Sequence, residues 1–384
     1  MIKQLISACA VLAAYRLARP IKAEAWFAIT HTDITKKALE LLKKEGKTKQ
    51  YQFFKQYEIE LLEGCNAPDK DGDVDEGAGR HYYAICNPKG KELPQKGGYY
   101  RNRLGSFSKS ARTSLEENYT SALCLFRSGK VEESVYVFAR AAHFIEDMAC
   151  TVHVSNIEYD DKPTNIHNAY EKNINNICSG ITADRFDKRL PKNYEGDSFE
   201  AASNKLIKLS SKFVDTISTL DPLGFRKAAE TTLPAAQQNV MALMLKFYDD
   251  CLNDRGNYIL DGKQYTFRNE ATGLVLTVTD KGIVTERPDK EKKQKLTVRI
   301  DDKLGAFGLE AEDRGFINAK LNGFEKIKEG STPALFRLAS LGKKRYRITT
   351  GASEYEKVLC CNKNGSLAVD KFDPDNKFQN WIIS

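Results

Sequence analysis

The hydrophobic period of this chain changes once, near Gly256, and no single layer of helices or strands can satisfy both sides of that change. Before it, apolar residues recur at helical intervals. Over 130–150, Val131, Val135, Phe138, Ala142 and Ile145 alternate steps of four and three, which lays one stripe along a helix. "HTDITKKALELLKKEG", starting at His31, repeats the device with Ile34, Ala38, Leu41 and Leu42, then ends in Lys before Gly46. Further helices are predicted over 104–127, 165–178, 198–220 and 233–253. Beyond Gly256, segments such as "KLTVRI", "FGLEAED", "ALFRLAS" and "KRYRITTG" alternate or run apolar over short lengths between Gly, Asn and Asp turns. The chain therefore reads as an all-α domain, 26–255, followed by an all-β domain, 256–384.

Inside the β half, "KLTVRIDD", "ALFRLASL" and "KFQNWIIS" echo one another about forty residues apart, so three such units fill Tyr265 to Ser384. That period, with the closing "FQNWII", resembles the ricin-B-type β-trefoil and its Gln-x-Trp signature. The resemblance covers about 120 residues. It implies a glycan as the possible ligand of this domain, although the first two repeats lack Gln-x-Trp. Another small β-sandwich or barrel is the alternative.

Residues 1–25 read as a targeting segment. Lys3 begins it, "LISACAVLAAY" is an apolar run of signal-peptide length, and "AEA" places small residues up to Ala25. The run is too short to cross a bilayer as a helix, so a soluble, exported mature protein starting at Trp26, secreted or periplasmic, is expected. Basic residues exceed acidic ones only mildly, 59 to 52, which does not argue for nucleic acid. Nine cysteines become eight once Cys9 leaves with the leader, and an even number in an exported chain favours disulfides. Cys65 with Cys86 and Cys150 with Cys178 are plausible pairs by proximity, with connectivity open.

The chain has five histidines, and each has a carboxylate or another ligand type near it in sequence. His143 and Asp147 lie four apart on the helix that carries the apolar stripe, and off that stripe. His153 follows just beyond that helix, while His167 and Glu171 are again four apart. His81 follows Asp69 by twelve residues in a stretch rich in Asp and Gly, and His31 comes five after Trp26. Any one His–carboxylate pair alone is an ordinary helix-surface ion pair. Together they are a kit for several zinc ions, which take neutral imidazole nitrogen and carboxylate oxygen.

The order Trp-x4-His, Asp-x11-His, His-x3-Asp-x5-His, His-x3-Glu is similar to the bacterial zinc-dependent phospholipase C family, over about 225 residues. "HYYAICNPKGK" likewise resembles a segment of that family. The resemblance implies that Asp69, His81, His143 and Asp147 hold one zinc, and His153, His167 and Glu171 a second. It implies a third at His31, Asp147 as a bridge, and Trp26 through its amino nitrogen and carbonyl oxygen. A backbone amine ligates metal only as a free N-terminus, so cleavage after Ala25 would complete that site.

Clustered zinc suits phosphodiester hydrolysis. The expected activity is phospholipase C chemistry at a phospholipid membrane surface, releasing diacylglycerol and a phosphorylated head group from a monomeric enzyme. The resemblance gives Asp69 the role of orienting the attacking water or taking its proton. The rival is a related three-zinc nuclease cutting single-stranded nucleic acid. The short Trp-x4-His spacing and "HFIED", which resembles the nuclease "HFIGD", favour it, whereas Glu171 favours the phospholipase. No stable nucleic-acid partner is expected unless the nuclease reading holds. A lectin-like protein with structural zinc is a third reading, but structural sites are closed and usually use Cys.

Several residues depart from the pattern. Glu146 stands where both families usually have Gly. The loop between Trp26 and His31 is "FAIT", without the acidic residue of the family's choline pocket, and Lys70 replaces an aromatic residue. Asp71, Asp73, Asp75 and Glu76 form an acidic loop, expected to be a solvated turn because the glutamate closing an EF-hand loop is missing.

Overall fold

The computed structural model describes residues 28–70, 78–103, 105–157, 165–196, 198–253, 258–280, 282–290, 293–312, 314–318, 324–325, 336–350 and 357–384. The leader, Trp26 and the acidic loop of Asp71, Asp73, Asp75 and Glu76 lie outside the described residues. No helix among the described residues is long and apolar enough to cross a membrane.

The first half is helical: α1 (Ala28–Lys44), α2 (Thr48–Gln56), α3 (Glu58–Gly64), α4 (Ala67–Lys70), α5 (Ala111–Arg127), α6 (Val131–Ala149), α7 (Thr151–Val154), α8 (Ile166–Ile177), α9 (Glu200–Ser210), α10 (Val214–Ile217) and α11 (Pro222–Leu252). A small antiparallel sheet of β1 (Gln95–Lys96), β2 (Tyr99–Arg101) and β3 (Phe107–Ser108) precedes α5. It corrects the helix predicted from residue 104. Ser110 sets the true start, its hydroxyl capping the amides of Arg112 and Thr113. The last helix also begins earlier than the predicted 233, at Pro222, with Asp221 accepting from the Leu223 amide. Pro234 lies inside it: packing overrides the local stop signal.

Two contacts place the site. α3 crosses α6 so closely at Gly64 that a Cβ there would lie 2.2 Å from the Tyr136 carbonyl oxygen. That approach brings the Cys65 carbonyl and α4 to the face of α6 carrying His143. On α6 the stripe residues Val135, Phe138, Ala142 and Ile145 are wholly buried, and so are His143 and Asp147 off it. The helix is enclosed on every side along its C-terminal half, which is incompatible with a surface ion pair.

The second half is antiparallel. A bent first strand, β4 (Gln264–Tyr265) and β5 (Phe267–Asn269), is followed by β6 (Val275–Thr279), β7 (Gly282–Glu286), β8 (Leu296–Ile300), β9 (Phe307–Ala311), β10 (Gly315–Ile317), β11 (Phe324–Glu325), β12 (Phe336–Ser340), β13 (Arg345–Thr350), β14 (Lys357–Cys361), β15 (Leu367–Lys371) and β16 (Asn380–Ile383). Pairing runs β4–β8, β8–β9, β9–β12, β12–β13, β13–β16 and β16–β5, which closes a ring. The hairpins β6–β7, β10–β11 and β14–β15 stand off it. Three four-strand units around a closed barrel make a β-trefoil, and the three sequence echoes are its fourth strands β8, β12 and β16.

The Gln-x-Trp signature has a structural reason. Gln379 accepts from the Asp373 amide at 2.9 Å and donates to the Lys371 carbonyl at 2.6 Å, while the Trp381 indole donates to Leu359. The first repeat does the same with Gln294 and Leu296. Gln294 accepts from Asp289 at 2.8 Å and donates to Arg287 at 2.9 Å.

The halves share a buried seam. Every residue of α5 from Ala111 to Leu125 is buried, including Arg112, Glu116 and Glu117, because the barrel covers its outer face. Glu117 accepts from Thr349 at 2.9 Å and from Lys109 at 2.7 Å, and Ser121 donates to the Gly305 carbonyl. Tyr99 stacks on Phe372 at 3.5 Å.

The cysteines correct the disulfide expectation. Cys65, Cys86, Cys124, Cys150, Cys178, Cys251, Cys360 and Cys361 are all buried free thiols. Neither Cys65–Cys86 nor Cys150–Cys178 forms. Cys65 donates to the Leu62 carbonyl, Cys86 to Val154 and Cys178 to Asn175, each within its own local packing.

Candidate metal centre

The eight described ligand candidates converge. α1 supplies His31, α4 supplies Asp69, a short turn Ala78–His81 supplies His81, and α6 supplies His143 and Asp147. α7 supplies His153, and α8 supplies His167 with Glu171. All the imidazoles, Asp147 and Glu171 are buried, and only Asp69 is partly open, its side chain 11% exposed.

Asp147 is the hub. Its Oδ2 lies 2.8 Å from His81 Nδ1 and 3.1 Å from His143 Nε2. Its Oδ1 faces His31 Nε2 at 3.9 Å and His153 Nδ1 at 3.7 Å. Asp69 meets the same group, with His31 at 3.6 Å, His143 at 3.5 Å and His81 at 3.8 Å. Farther along, Glu171 Oε1 lies 3.1 Å from His153 Nε2 and 2.9 Å from His167 Nε2.

Four of the rings are fixed through Nδ1. His143 donates to the Cys65 carbonyl at 2.8 Å, His153 to His81 at 2.9 Å and His167 to Ile157 at 2.6 Å, while His31 Nδ1 meets the Glu146 carboxyl at 2.5 Å. A carbonyl must receive a hydrogen, so in the first three Nδ1 carries the proton and a neutral ring keeps its lone pair on Nε2, turned towards the carboxylates. His81 is the exception and presents Nδ1. The i, i+4 spacing on α6 and α8 explains the aim of two of them, His143 and His167, and the α3–α6 crossing at Gly64 supplies the acceptor for His143.

The electrostatics split the group: His31, His143, Asp147 and Glu171 shift towards neutral imidazole and ionised carboxylate, while Glu171 raises His167 against burial and burial raises Glu146 well above the usual carboxylate range. Burial, then the neighbouring His143, pushes His31 well below the usual histidine range, and burial lowers His143 too. Burial by itself would raise Asp147, but His143, His81 and His153 hold it well below the usual carboxylate range. Glu171 is lowered in the same way: His167 and His153 outweigh burial.

These residues fit zinc. Asp147 Oδ1 is buried with no hydrogen-bond partner, which is costly for a carboxylate oxygen unless a cation faces it. Three sets of ligand atoms lie within 4.8 Å of one another: His31, His143 and Asp147; Asp69, His81 and His143; and Cys150, His153 and Glu171. The last set contains Cys150, a ligand type that sequence reading had set aside, while His167 reaches Glu171 separately. Trp26 lies outside the described residues.

Glu146 and Thr35 are the residues sequence reading missed. The departure from Gly at 146 carries no role in sequence; in the fold, Glu146 Oε2 meets His31 Nδ1 and Oε1 accepts from the Thr35 hydroxyl at 2.7 Å. The i, i+4 spacing of His31 and Thr35 on one predicted helix was the available signal.

No family model and no curated protein matches the chain. Among solved structures, the designed three-fold symmetric protein ThreeFoil is similar over 31% of this chain and 96% of its own, at 16% identity and a TM-score of 0.25. Over 92% of its length, and 95% of theirs, the chain is similar to the alpha-toxins of Clostridium absonum and of Clostridium perfringens avian strain SWCP, at 15% and 14% identity and a TM-score of 0.49 for each.

Proposed function

We propose that the chain is a zinc-dependent phosphoric diester hydrolase of the phospholipase C type. Residues 26–255 would form the catalytic unit and 256–384 a binding unit. The observation that carries the reading is the set of four imidazoles fixed through Nδ1, with their Nε2 atoms turned onto Asp69, Asp147 and Glu171. That arrangement supports neutral nitrogen and anionic oxygen ligands held ready at little entropic cost.

Bound zinc supplies positive charge for an anionic phosphate and acidifies water towards neutrality. Asp147 spans two ligand groups, while His153, His167 and Glu171 form the far end. Asp69, the partly exposed carboxylate of the set, would orient the water or take its proton; its exposure supports that reading. The products are diacylglycerol and a phosphorylated head group. The full complement is about three zinc ions, with Trp26 completing one position as a free N-terminus. The enzyme is secreted, acts as a monomer at a phospholipid surface, and the trefoil adds local affinity, with a glycan as its candidate ligand.

The test is a substrate panel on the processed, zinc-loaded protein: phosphatidylcholine vesicles, other phospholipids and single-stranded DNA. Release of a phosphorylated head group, abolished by chelation, is the expected result. Cleavage of DNA alone would establish the nuclease reading instead. Zinc binding without either activity would overturn both and leave a lectin-like protein.

A further inference from the structure

We propose that Glu146 is a positioning residue of the metal centre: it fixes the ring and tautomer of His31 and so sets how tightly the His31–His143–Asp147 position holds a cation. This rests on the metal-centre reading above and adds to it a residue that neither ligand order contains.

The geometry joins two helices. On α1, His31 and Thr35 are four apart; on α6, His143, Glu146 and Asp147 occupy i, i+3 and i+4, so all three leave one side of the helix. The α1 pair meets the α6 triplet face to face. Glu146 receives His31 Nδ1 at 2.5 Å and the Thr35 hydroxyl at 2.7 Å, and His31 stacks on the His143 ring with centroids 4.1 Å apart. The imidazole is thereby held on one edge and one face. Its Nε2 points at Asp69 and Asp147, 3.6 and 3.9 Å away.

The surroundings of Glu146 give the second argument. It is wholly buried, and its two hydrogen-bond partners are a hydroxyl and an imidazole, neither with a permanent positive charge. A carboxyl at that edge of the ring orients the imidazole whichever of the two holds the shared proton, and as a carboxylate it raises the basicity of the far nitrogen, His31 Nε2.

Glycine or alanine at 146 would leave His31 without that acceptor. Glu146→Ala should weaken zinc at this position by about 10- to 100-fold, the range for partners of metal-bound histidine. Glu146→Gln keeps an acceptor oxygen and loses the charge, so its affinity falls between. Thr35→Val removes the other anchor of the carboxylate and should change affinity in the same direction by less.

The measurement is zinc retained against a graded chelator, by elemental analysis, together with the nitrogen NMR signature of the His31 tautomer in the metal-free protein. Wild type should hold its full complement and show His31 protonated on Nδ1. Glu146→Ala should lose one ion first and lose that signature; if it does not fold, Glu146→Gln decides by affinity alone. Unchanged zinc affinity in the folded variants would overturn the role of Glu146 while leaving the metal centre standing. Failure of wild type itself to bind zinc would overturn the metal-centre reading.

Discussion

Asp147→Asn separates a metal hub from a buried hydrogen-bonding residue. The native carboxylate presents Oδ2 to His81 and His143, and Oδ1 to His31 and His153. An amide of the same shape offers one oxygen and one NH2 group, so whichever way it lies, one side becomes a donor and cannot ligate metal. The His31–His143–Asp147 group then loses its only carboxylate, whereas Asp69–His81–His143 and the Glu171 end keep theirs. Zinc content should fall from about three ions to about two or fewer. Hydrolysis should drop about 10²- to 10³-fold, or roughly 2.7–4 kcal/mol, the usual cost of one preorganised electrostatic group. The metal-free protein should lose about 1.5–3 kcal/mol of folding stability, because Asn still accepts from His81 while the charge-assisted component is gone. Elemental analysis, vesicle hydrolysis and urea unfolding on one preparation distinguish these terms. A variant that keeps full zinc and full activity would refute the hub assignment, and one that merely unfolds would show up in the urea curve first.

Stripped of metal, the protein should show opposing pH dependences from its buried groups. His31 and His143 have folded pKa values below the ordinary 6.5, so the unfolded chain binds their protons first; their contribution is complete above 6.5 and is lost as pH falls through the folded values. His167 acts with the opposite sign: burial pulls it down but Glu171 prevails, so its contribution is present below 6.5 and is lost as pH rises through its folded value. Glu146, which burial raises well above the usual carboxylate range, acts with His167, so two groups oppose two. Glu146→Gln removes one opponent, and the thermal unfolding midpoint of that stripped variant should fall more steeply than that of wild type between about pH 7.5 and pH 5.5. At the seam between the halves, Glu117→Ala removes the carboxylate that Lys109 and Thr349 share and should cost about 3 kcal/mol or more, read by urea unfolding. In the barrel, Gln294→Ala removes bonds to Asp289, Arg287 and Thr277 and should cost about 1–3 kcal/mol by the same measurement. An unchanged midpoint would show that the Gln-x-Leu of the first repeat does not serve as the Gln-x-Trp of the third does.

How much of the fold could be read follows from how local its causes are. The period change near Gly256 and the recurrence of the fourth barrel strands are local patterns, and both became structure. The helix over 104–127 was misjudged because strands of two or three residues, β1 to β3, are too short to leave a period. α5 could not be recognised as buried on all sides, since its cover comes from Gly305 and Thr349, far along the chain. Gln294 carries no signature in sequence because Leu296 stands where the third repeat has Trp381, yet its hydrogen bonds match those of Gln379.

The site divides in the same way. His143 with Asp147 and His167 with Glu171 are legible because i, i+4 spacing forces each pair onto one face before any tertiary contact exists. Their burial was not legible, and burial is what separates a candidate ligand pair from a surface ion pair: in water such a pair contributes little, while in the core Asp147 Oδ1 has no hydrogen-bond partner, which is costly for a carboxylate. Glu146 shows the limit. On its own helix it is one more carboxylate beside Asp147, and its meaning comes entirely from His31, 115 residues away. Ligands can be inferred from spacing, because metal geometry constrains spacing. The groups that aim those ligands answer only to the packing of one helix on another, so a residue that breaks a family pattern beside a ligand is best judged by what it touches across the core.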